Sequence, residues 1–448
     1  MNDVQTLQKI KEYKAISPLA VHGGQKIRTK KFPPYHLIDQ EVENAVVKVL
    51  RSGVLSRYLG AWHQDFYGGP QVRAFEEAWA AHFGVKHAIA VNSATSGLYA
   101  AVGAAGIEPG DEIIVTPFSM SASAVAPLVY HAIPVFADIE KDYFCLDIAS
   151  IEQRITPRTK AIVIVDLFGL PYDALAVNEL ARKHKLLVIE DCAQAPGALY
   201  KNKSAGTLGD MGVYSLNYHK HIHTGEGGVV VTDNDELAER LRLIRNHAEA
   251  VIDAKGDAHF TNMIGFNYRL TEMQAVIGLA LLKHLKPLVQ ARVENVTYLE
   301  KKLAAIPALT MPKVRQDCTH AYYLHAIKFD ELLAGISRDA FVNAVKAELE
   351  VTEWRETEGV KVNAGYVKPL YLQSIYQKKQ VYGTSHYPWT LQPQGGEASY
   401  VPGICPVTER MHNHELIVHE LMRPGMTKQD LDDVVRAFEK VWENRKLL

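Results

Sequence analysis

The 448-residue chain has little of what marks several functional classes. It has four cysteines, Cys145, Cys192, Cys318 and Cys405, and no two stand at Cys-x-x-Cys spacing. That removes the thiolate zinc and dithiol redox motifs and leaves reduced, buried thiols as the reading. Neither sign of charge is in excess: 49 Lys and Arg face 51 Asp and Glu, for a formal net charge of -2. A nucleic-acid partner, which needs a basic surface, is therefore not expected. No apolar run approaches the ~20 residues of a membrane-spanning helix, and the opening MNDVQTLQKIKEYKAISPLAVHGG has no basic start, apolar stretch or cleavage site of a secretory signal. A soluble, cytoplasmic protein is the expectation. No Gly-x-Gly-x-x-Gly follows a strand pattern and no Gly-x-x-x-x-Gly-Lys-Ser/Thr occurs, which disfavours a dinucleotide site and a nucleotide triphosphatase. Internal repeats and low-complexity segments are absent as well.

What remains is an ordinary globular balance, 47% hydrophobic and 22% charged. Residues 1–35 read as an arm, with Gly-Gly at 23–24 and Pro-Pro at 33–34. A helical pattern follows and stops at Gly53. Between about 85 and 235, short Val/Ile/Leu runs alternate with helical stretches: HAIAV (87–91), EIIVT (112–116), IPVFA (133–137), AIVIV (161–165), KLLVIE (185–190), VYSL (213–216) and GGVVVT (227–232). This predicts an α/β fold with a mainly parallel sheet covered on both faces, and ligands outside the carboxyl ends of its strands. The helical stretch 271–305 should kink or break at Pro287. Residues 36–285 thus read as a large domain and 286–448 as a smaller α+β domain, with long Tyr-, Pro-, Gln- and Gly-rich loops at about 352–412.

Three segments carry chemistry. YSLNYHKHIHTGEGGVVVT (214–232) sets a lysine, Lys220, between two strands, before glycines that permit a tight hairpin or close backbone approach. KLLVIEDCAQAPGALY (185–200) ends an apolar strand on Glu190-Asp191, where a helix-capping aspartate is the bland alternative. HAIAVNSATSGLYAAVGAAG (87–106) runs from a strand into small residues and a helix, whose first N–H groups and dipole favour a phosphate. An acid that keeps a pyridine nitrogen protonated and a lysine that forms a Schiff base are the requirements of pyridoxal phosphate (PLP) chemistry. His219, His221 and His223 alternate around Lys220 and would share a face if that stretch were a strand. No carboxylate or cysteine joins them at ligand spacing, so no metal site is expected.

On these motifs the chain resembles the DegT/DnrJ/StrS family of PLP-dependent aminotransferases, which have the aspartate-aminotransferase (type I) fold. The EDCAQA strand end, GTLGDMGVYSLNYHK…GEGG (206–228), GFNYRLTEMQAVIG (265–278) and CPVTERMH (405–412) carry the likeness. It implies Lys220 as the Schiff-base lysine that moves the proton, and Asp191 as partner of the pyridinium nitrogen. It implies Gln194 on the phenolic oxygen, and the Ala94 and Thr95 N–H groups with the Thr95 and Ser215 hydroxyls on the phosphate. Asn267 would reach the same phosphate from the partner subunit of a homodimer. Met120 stands where relatives place a ring that stacks on the cofactor, with Phe118 as the alternative. Asp166 stands where many relatives have histidine. One branch of the family has histidine in place of the lysine and acts as sugar dehydratases; GEGG sets the register that puts Lys220 there.

The implied reaction moves an amino group from glutamate or glutamine, through the PLP and pyridoxamine (PMP) forms, to a keto sugar attached to a nucleotide. A keto-cyclitol is the alternative acceptor, since LAVHGGQKIR (19–28) resembles the start of cyclitol-type relatives. The segment GYVKPLYLQSIYQ (365–377) is expected to line the acceptor pocket. A cofactor-binding regulatory scaffold without turnover and a histidine-based metal hydrolase are the rivals from other classes.

Overall fold

The computed structural model describes residues 18–256, 260, 263–392 and 398–448. Residues 1–17 of the expected arm and 393–397 of the loop-rich stretch lie outside the described residues.

The alternating runs form one seven-stranded sheet. Its strands are β1 (His87–Val91), β2 (Glu112–Val115), β3 (Ile133–Phe136), β4 (Thr159–Val165), β5 (Leu187–Asp191), β8 (Met211–Ser215) and β9 (Gly228–Thr232). The order is β1-β9-β8-β5-β4-β2-β3, and a two-stranded hairpin of β6 (Leu199–Tyr200) and β7 (Lys203–Ser204) lies apart from it. The pairs β2–β3, β2–β4, β4–β5 and β5–β8 are parallel; β9 alone runs antiparallel to both its neighbours. Helices cover both faces. Leu98 and Val102 of helix Ala94–Ala104 and Leu241 of helix Asp235–Arg245 pack on one side; Phe75 and Trp79 of helix Pro70–Phe83 pack on the other. Burial on both faces is why these strands read as unbroken apolar runs.

The registers position the site. Val91 and Ser215 both pair with Gly228, and Asp191 pairs with Val213, two residues from Ser215. The turn after β1, the loop after β8 and the last residue of β5 therefore meet at one edge, the carboxyl edge of the parallel strands.

The stretch 271–305 is two helices, Glu272–Leu282 and Leu285–Leu303. The break falls at Lys283–His284, and Pro287 sits in the first turn of the second helix, where no intrahelical partner is lost. The second helix joins the core of a four-stranded antiparallel sheet, β10-β11-β13-β12 (Leu309–Thr310, His325–Phe329, Leu416–His419, Val362–Ala364), with helices Arg338–Glu348 and Lys428–Glu443. The last of these starts with a capping box between Thr427 and Asp430.

Residues 370–392 and 398–405 depart from expectation. Tyr371, Tyr376, Trp389 and Tyr400 leave the second sheet and join the core of the first, with Tyr371, Tyr376 and Tyr400 against Phe136 of β3. Tyr400 Oη donates to the Pro134 carbonyl (2.8 Å). The segment covers the edge strand β3, which would otherwise present unpaired backbone. Tyr371 and Tyr376 therefore do not line an acceptor pocket; both are fully buried.

Candidate active site

Asp191 ends β5 with its side chain 4% exposed. Ser123 Oγ donates to its Oδ2 (2.7 Å) and the Ala193 N–H to its Oδ1 (3.1 Å). Burial pushes the carboxyl above its ordinary range, while Ser123, Ala193 and the charge of Lys220 pull it back. Such a carboxylate is oriented by two donors and still needs a cationic partner. Ser123 was not legible as part of the site, because nothing in SMSAS singles out one serine.

Lys220 lies in the β8–β9 connection, Leu216–Gly227, which contains no strand. Burial lowers its amine to about 8, against the opposing pull of Asp191. That lowering gives the amine a larger neutral fraction near neutral pH than an exposed lysine has, as a proton-accepting lysine requires. The loop is pinned next to it: Tyr35 Oη donates to the His221 carbonyl (2.6 Å), and His221 Nε2 to the Ala321 carbonyl (2.8 Å). Since the stretch is a turn, the three histidines do not share a strand face. His221 is buried, His219 accompanies Asn217 and Glu358, and His223 lies partly buried near Arg423.

The turn after β1 meets this loop closely. A Cβ on Gly228 would lie 2.7 Å from the Ala94 nitrogen, so only glycine allows the strand so near. Ser93 caps the helix by accepting from the Ser96 N–H (3.0 Å). The N–H groups of Ala94 and Thr95 have no acceptor among the described residues. Thr95 is exposed and Ala94 half-buried. Ser215 Oγ accepts from the Asn217 N–H (3.3 Å), which leaves its own hydrogen to donate.

Gln194 is buried, and its amide has a fixed orientation: Oε1 accepts from the Phe168 N–H (2.7 Å) and Nε2 donates to Tyr366 Oη (3.3 Å). Phe168 has φ of 61°, an uncommon conformation for a bulky residue. In that conformation its N–H serves Gln194 and its carbonyl accepts from the Tyr323 N–H (2.8 Å). Phe118 is wholly enclosed by Phe168, Tyr366 and His412, so it is not free to stack on a ligand. Met120 is 63% exposed. The Asn267 side chain is exposed, and its carbonyl accepts from Asn92 Nδ2 (3.3 Å) beside the β1 turn.

Beneath the site, Asp166 and Glu190 form a buried carboxyl pair. Glu190 accepts from the N–H groups of Gly206 (2.6 Å), Leu208 (2.8 Å) and Gly209 (3.3 Å) and holds the negative charge. Burial and that charge drive Asp166 far above the carboxylate range. A proton on Asp166 shared with Glu190 accounts for Oδ2, which otherwise has no partner among the described residues. Asp166 Oδ1 meanwhile accepts from the Tyr172 N–H (3.0 Å).

Of the opposite wall, sequence reasoning reached only Tyr366, within the segment 365–377. Tyr323, Tyr366, Arg292, Arg355, Lys361 and Arg423 come from distant segments, and no motif links them. Arg292 Nη1 donates to the carbonyls of Tyr322 (3.0 Å) and Tyr323 (3.5 Å). Arg355 pairs with Glu358 and Glu420, Arg423 with Glu420, and Lys361 with Glu358. Burial and the neighbouring cations Arg355 and Arg292 lower Arg423 to about 9, and its Nε has no partner among the described residues.

Fold and site together define a PLP-dependent transferase. The residues present suit that cofactor: a buried aspartate for a ring nitrogen, a partly desolvated lysine for an aldehyde, and open N–H groups at a helix start for a phosphate. The model of the DegT/DnrJ/EryC1/StrS aminotransferase family matches residues 38–392, and the chain belongs to that family as one of its aminotransferases. It is 42% identical over 274 residues to the GDP-perosamine synthase of Caulobacter vibrioides, covering 61% of this chain and 72% of that protein. It is 30% identical to the L-glutamine:2-deoxy-scyllo-inosose aminotransferase of Micromonospora echinospora, covering 96% of this chain and 99% of that one. Among solved structures it resembles DesI in the presence of its TDP-sugar product, with TM-score 0.76 and 28% identity over 96% of each chain. Among the described residues, no helix is long and apolar enough to cross a membrane.

Proposed function

We propose that this enzyme transfers the amino group of glutamate or glutamine to a keto sugar carried on a nucleotide. The observation that carries the reading is the pairing of Lys220, lowered to about 8, with the buried Asp191 that acts on it. When bound, PLP supplies an aldehyde that takes up the amino group and a ring that accepts the electrons left at the substrate carbon. Asp191, held by Ser123 and Ala193, would place a negative charge at the ring nitrogen. The N–H groups of Ala94 and Thr95 and the hydroxyls of Thr95 and Ser215 would hold the phosphate. Gln194 Nε2 has a second hydrogen for the phenolic oxygen, and Met120 offers an open apolar face. Lys220 as neutral amine takes the proton from the donor carbon and delivers it to the carbon on the other side of the nitrogen. The wall of Arg292, Arg355, Lys361 and Arg423, only partly balanced by Glu358 and Glu420, favours substrates that carry negative charge.

The site is completed in a homodimer. Val47, Leu50, Val54, Leu55, Leu59 and Trp62 are exposed on helix Gln40–Ser52 and the segment after it. Val54 among them also lines a cavity of about 440 Å³, with Ala45, Val49 and Leu279. A second copy covering this face would exclude that apolar surface from water and bring Asn267 to the neighbouring phosphate.

A keto-cyclitol is the second reading, favoured by the LAVHGGQKIR opening and by the near-complete alignment with a cyclitol aminotransferase. The deciding experiment presents the pyridoxamine-loaded enzyme with keto-sugar nucleotides and keto-inositols and follows the return of the lysine-bound cofactor's colour. Return with the nucleotides supports the first reading, and return with keto-inositols alone replaces it with the second. Failure with both classes rejects the two together.

A further inference from the structure

One side chain outside the family motifs reaches the amine of Lys220. The Nζ lies 4.2 Å from the centroid of the Tyr323 ring, within the range at which a π face holds a cation. The backbone that carries the ring is held at three points. The Tyr323 backbone N–H donates to the carbonyl of the strained Phe168 (2.8 Å). Arg292, with no exposure to solvent, donates to the carbonyls of residues 322 and 323. The Lys220 loop itself is tied to Ala321 through His221. The segment that carries the ring and the loop that carries the amine are thus tied to each other, with the ring face 4.2 Å from Nζ.

We propose that Tyr323 is a positioning residue for proton transfer: its ring holds the Lys220 ammonium during the part of the cycle in which that amine is not bonded to the cofactor. The proposal rests on the reading of Lys220 given above. In the step concerned, the C–H bond at the donor's α-carbon breaks, an N–H bond forms on Lys220, and the electron pair passes into the cofactor ring. The same proton is then delivered to the cofactor carbon on the other side of the nitrogen, where the electron pair withdrawn into the ring forms the new C–H bond. Between those events the ammonium must neither wander into solvent nor bind Asp191 so tightly that it keeps its proton. A π face offers a weaker hold than a carboxylate at the same separation.

Several charged and titratable groups surround the pair. Asp191, from β5, raises the Lys220 amine against the lowering effect of burial. His221, on the same loop, is buried and held well below its usual range. Arg292, Arg355, Arg423 and Glu358 act on Tyr323 itself.

The test compares Tyr323→Leu and Tyr323→Phe with the parent holoenzyme. Borohydride reduction and peptide mapping first establish that each protein carries the cofactor on Lys220. Competitive acetylation of Lys220 across pH in the pyridoxamine-loaded form then reads the basicity of the free amine, alongside kcat and KM for the donor. Tyr323→Leu should keep the borohydride label, move the acetylation midpoint down by about one pH unit and lower kcat about tenfold with little change in KM. Tyr323→Phe should match the parent. An unmoved midpoint in Tyr323→Leu, or an equal shift in Tyr323→Phe, would overturn the proposal. Absence of the label from Lys220 in the parent would instead overturn the reading of that lysine, and this proposal with it.

Discussion

The two sheets contribute to the site in different ways. The seven-stranded sheet supplies groups by register: Asp191, Ser215, Gly228 and the turn at Ala94 meet because neighbouring strands end together. The wall beside the four-stranded sheet supplies groups by loops: Tyr323 just precedes β11, Arg423 follows β13, and Arg355 and Tyr366 flank β12. A register fixes atoms to a fraction of an ångström, which suits a cofactor whose chemistry is always the same. Loops can vary without disturbing a sheet, which suits recognition of a substrate that differs between relatives.

That contrast makes predictions that can break it. Asp191→Asn removes the charge but keeps the shape, so amino transfer should fall by about a hundredfold or more, with the Lys220 adduct still formed; steady-state rates and borohydride mapping check this. Gly228→Ala drives a Cβ against the Ala94 nitrogen. Cofactor affinity should fall by ten- to a hundredfold, the equivalent of ~1.4–2.8 kcal/mol, in a titration of the apoenzyme. Arg423→Leu, on the other wall, should leave cofactor affinity unchanged and raise the donor KM about tenfold, the loss of one charge-assisted contact. If Arg423→Leu weakened the cofactor as much as Gly228→Ala does, the division of labour between the sheets would be wrong.

The smallest effect is in pH. The amine of Lys220 accepts a proton only when neutral, and burial places its midpoint at about 8. The first half-reaction should therefore rise about tenfold per pH unit below that value and level off above it. Because Asp191 raises the amine, Asp191→Asn should move the midpoint to lower pH. A single-turnover rate measured from pH 6 to 10 in both proteins reads the shift.

How much of this could be read from the chain follows the same contrast. Lys220, Asp191 and the Ala94 turn sit at strand ends marked by apolar runs, so position and chemistry coincide in the sequence. Tyr323 and Arg423 have no such mark; Tyr323 meets Lys220, and Arg423 acts on Tyr323, only because the chain returns after more than a hundred residues. Asp166 stood alone in VDLFGLP, and its partner appears only when β4 and β5 pair in parallel and bring Glu190 beside it. The aromatic segment 365–377 misled for a related reason. Tyrosines that strap an edge strand and tyrosines that line a pocket have the same composition, and only Tyr366 of that stretch reaches Gln194. The alternating histidines were legible as a pattern, but the strand that would have given the pattern meaning is a turn.

The most direct measurement is covalent. The purified holoenzyme is reduced with borohydride, digested and mapped by mass spectrometry, with Lys220→Ala as control. The account predicts a pyridoxyl group on Lys220 in the parent, and in the variant neither that label nor measurable amino transfer. A label on another lysine, or undiminished transfer by Lys220→Ala, would contradict it.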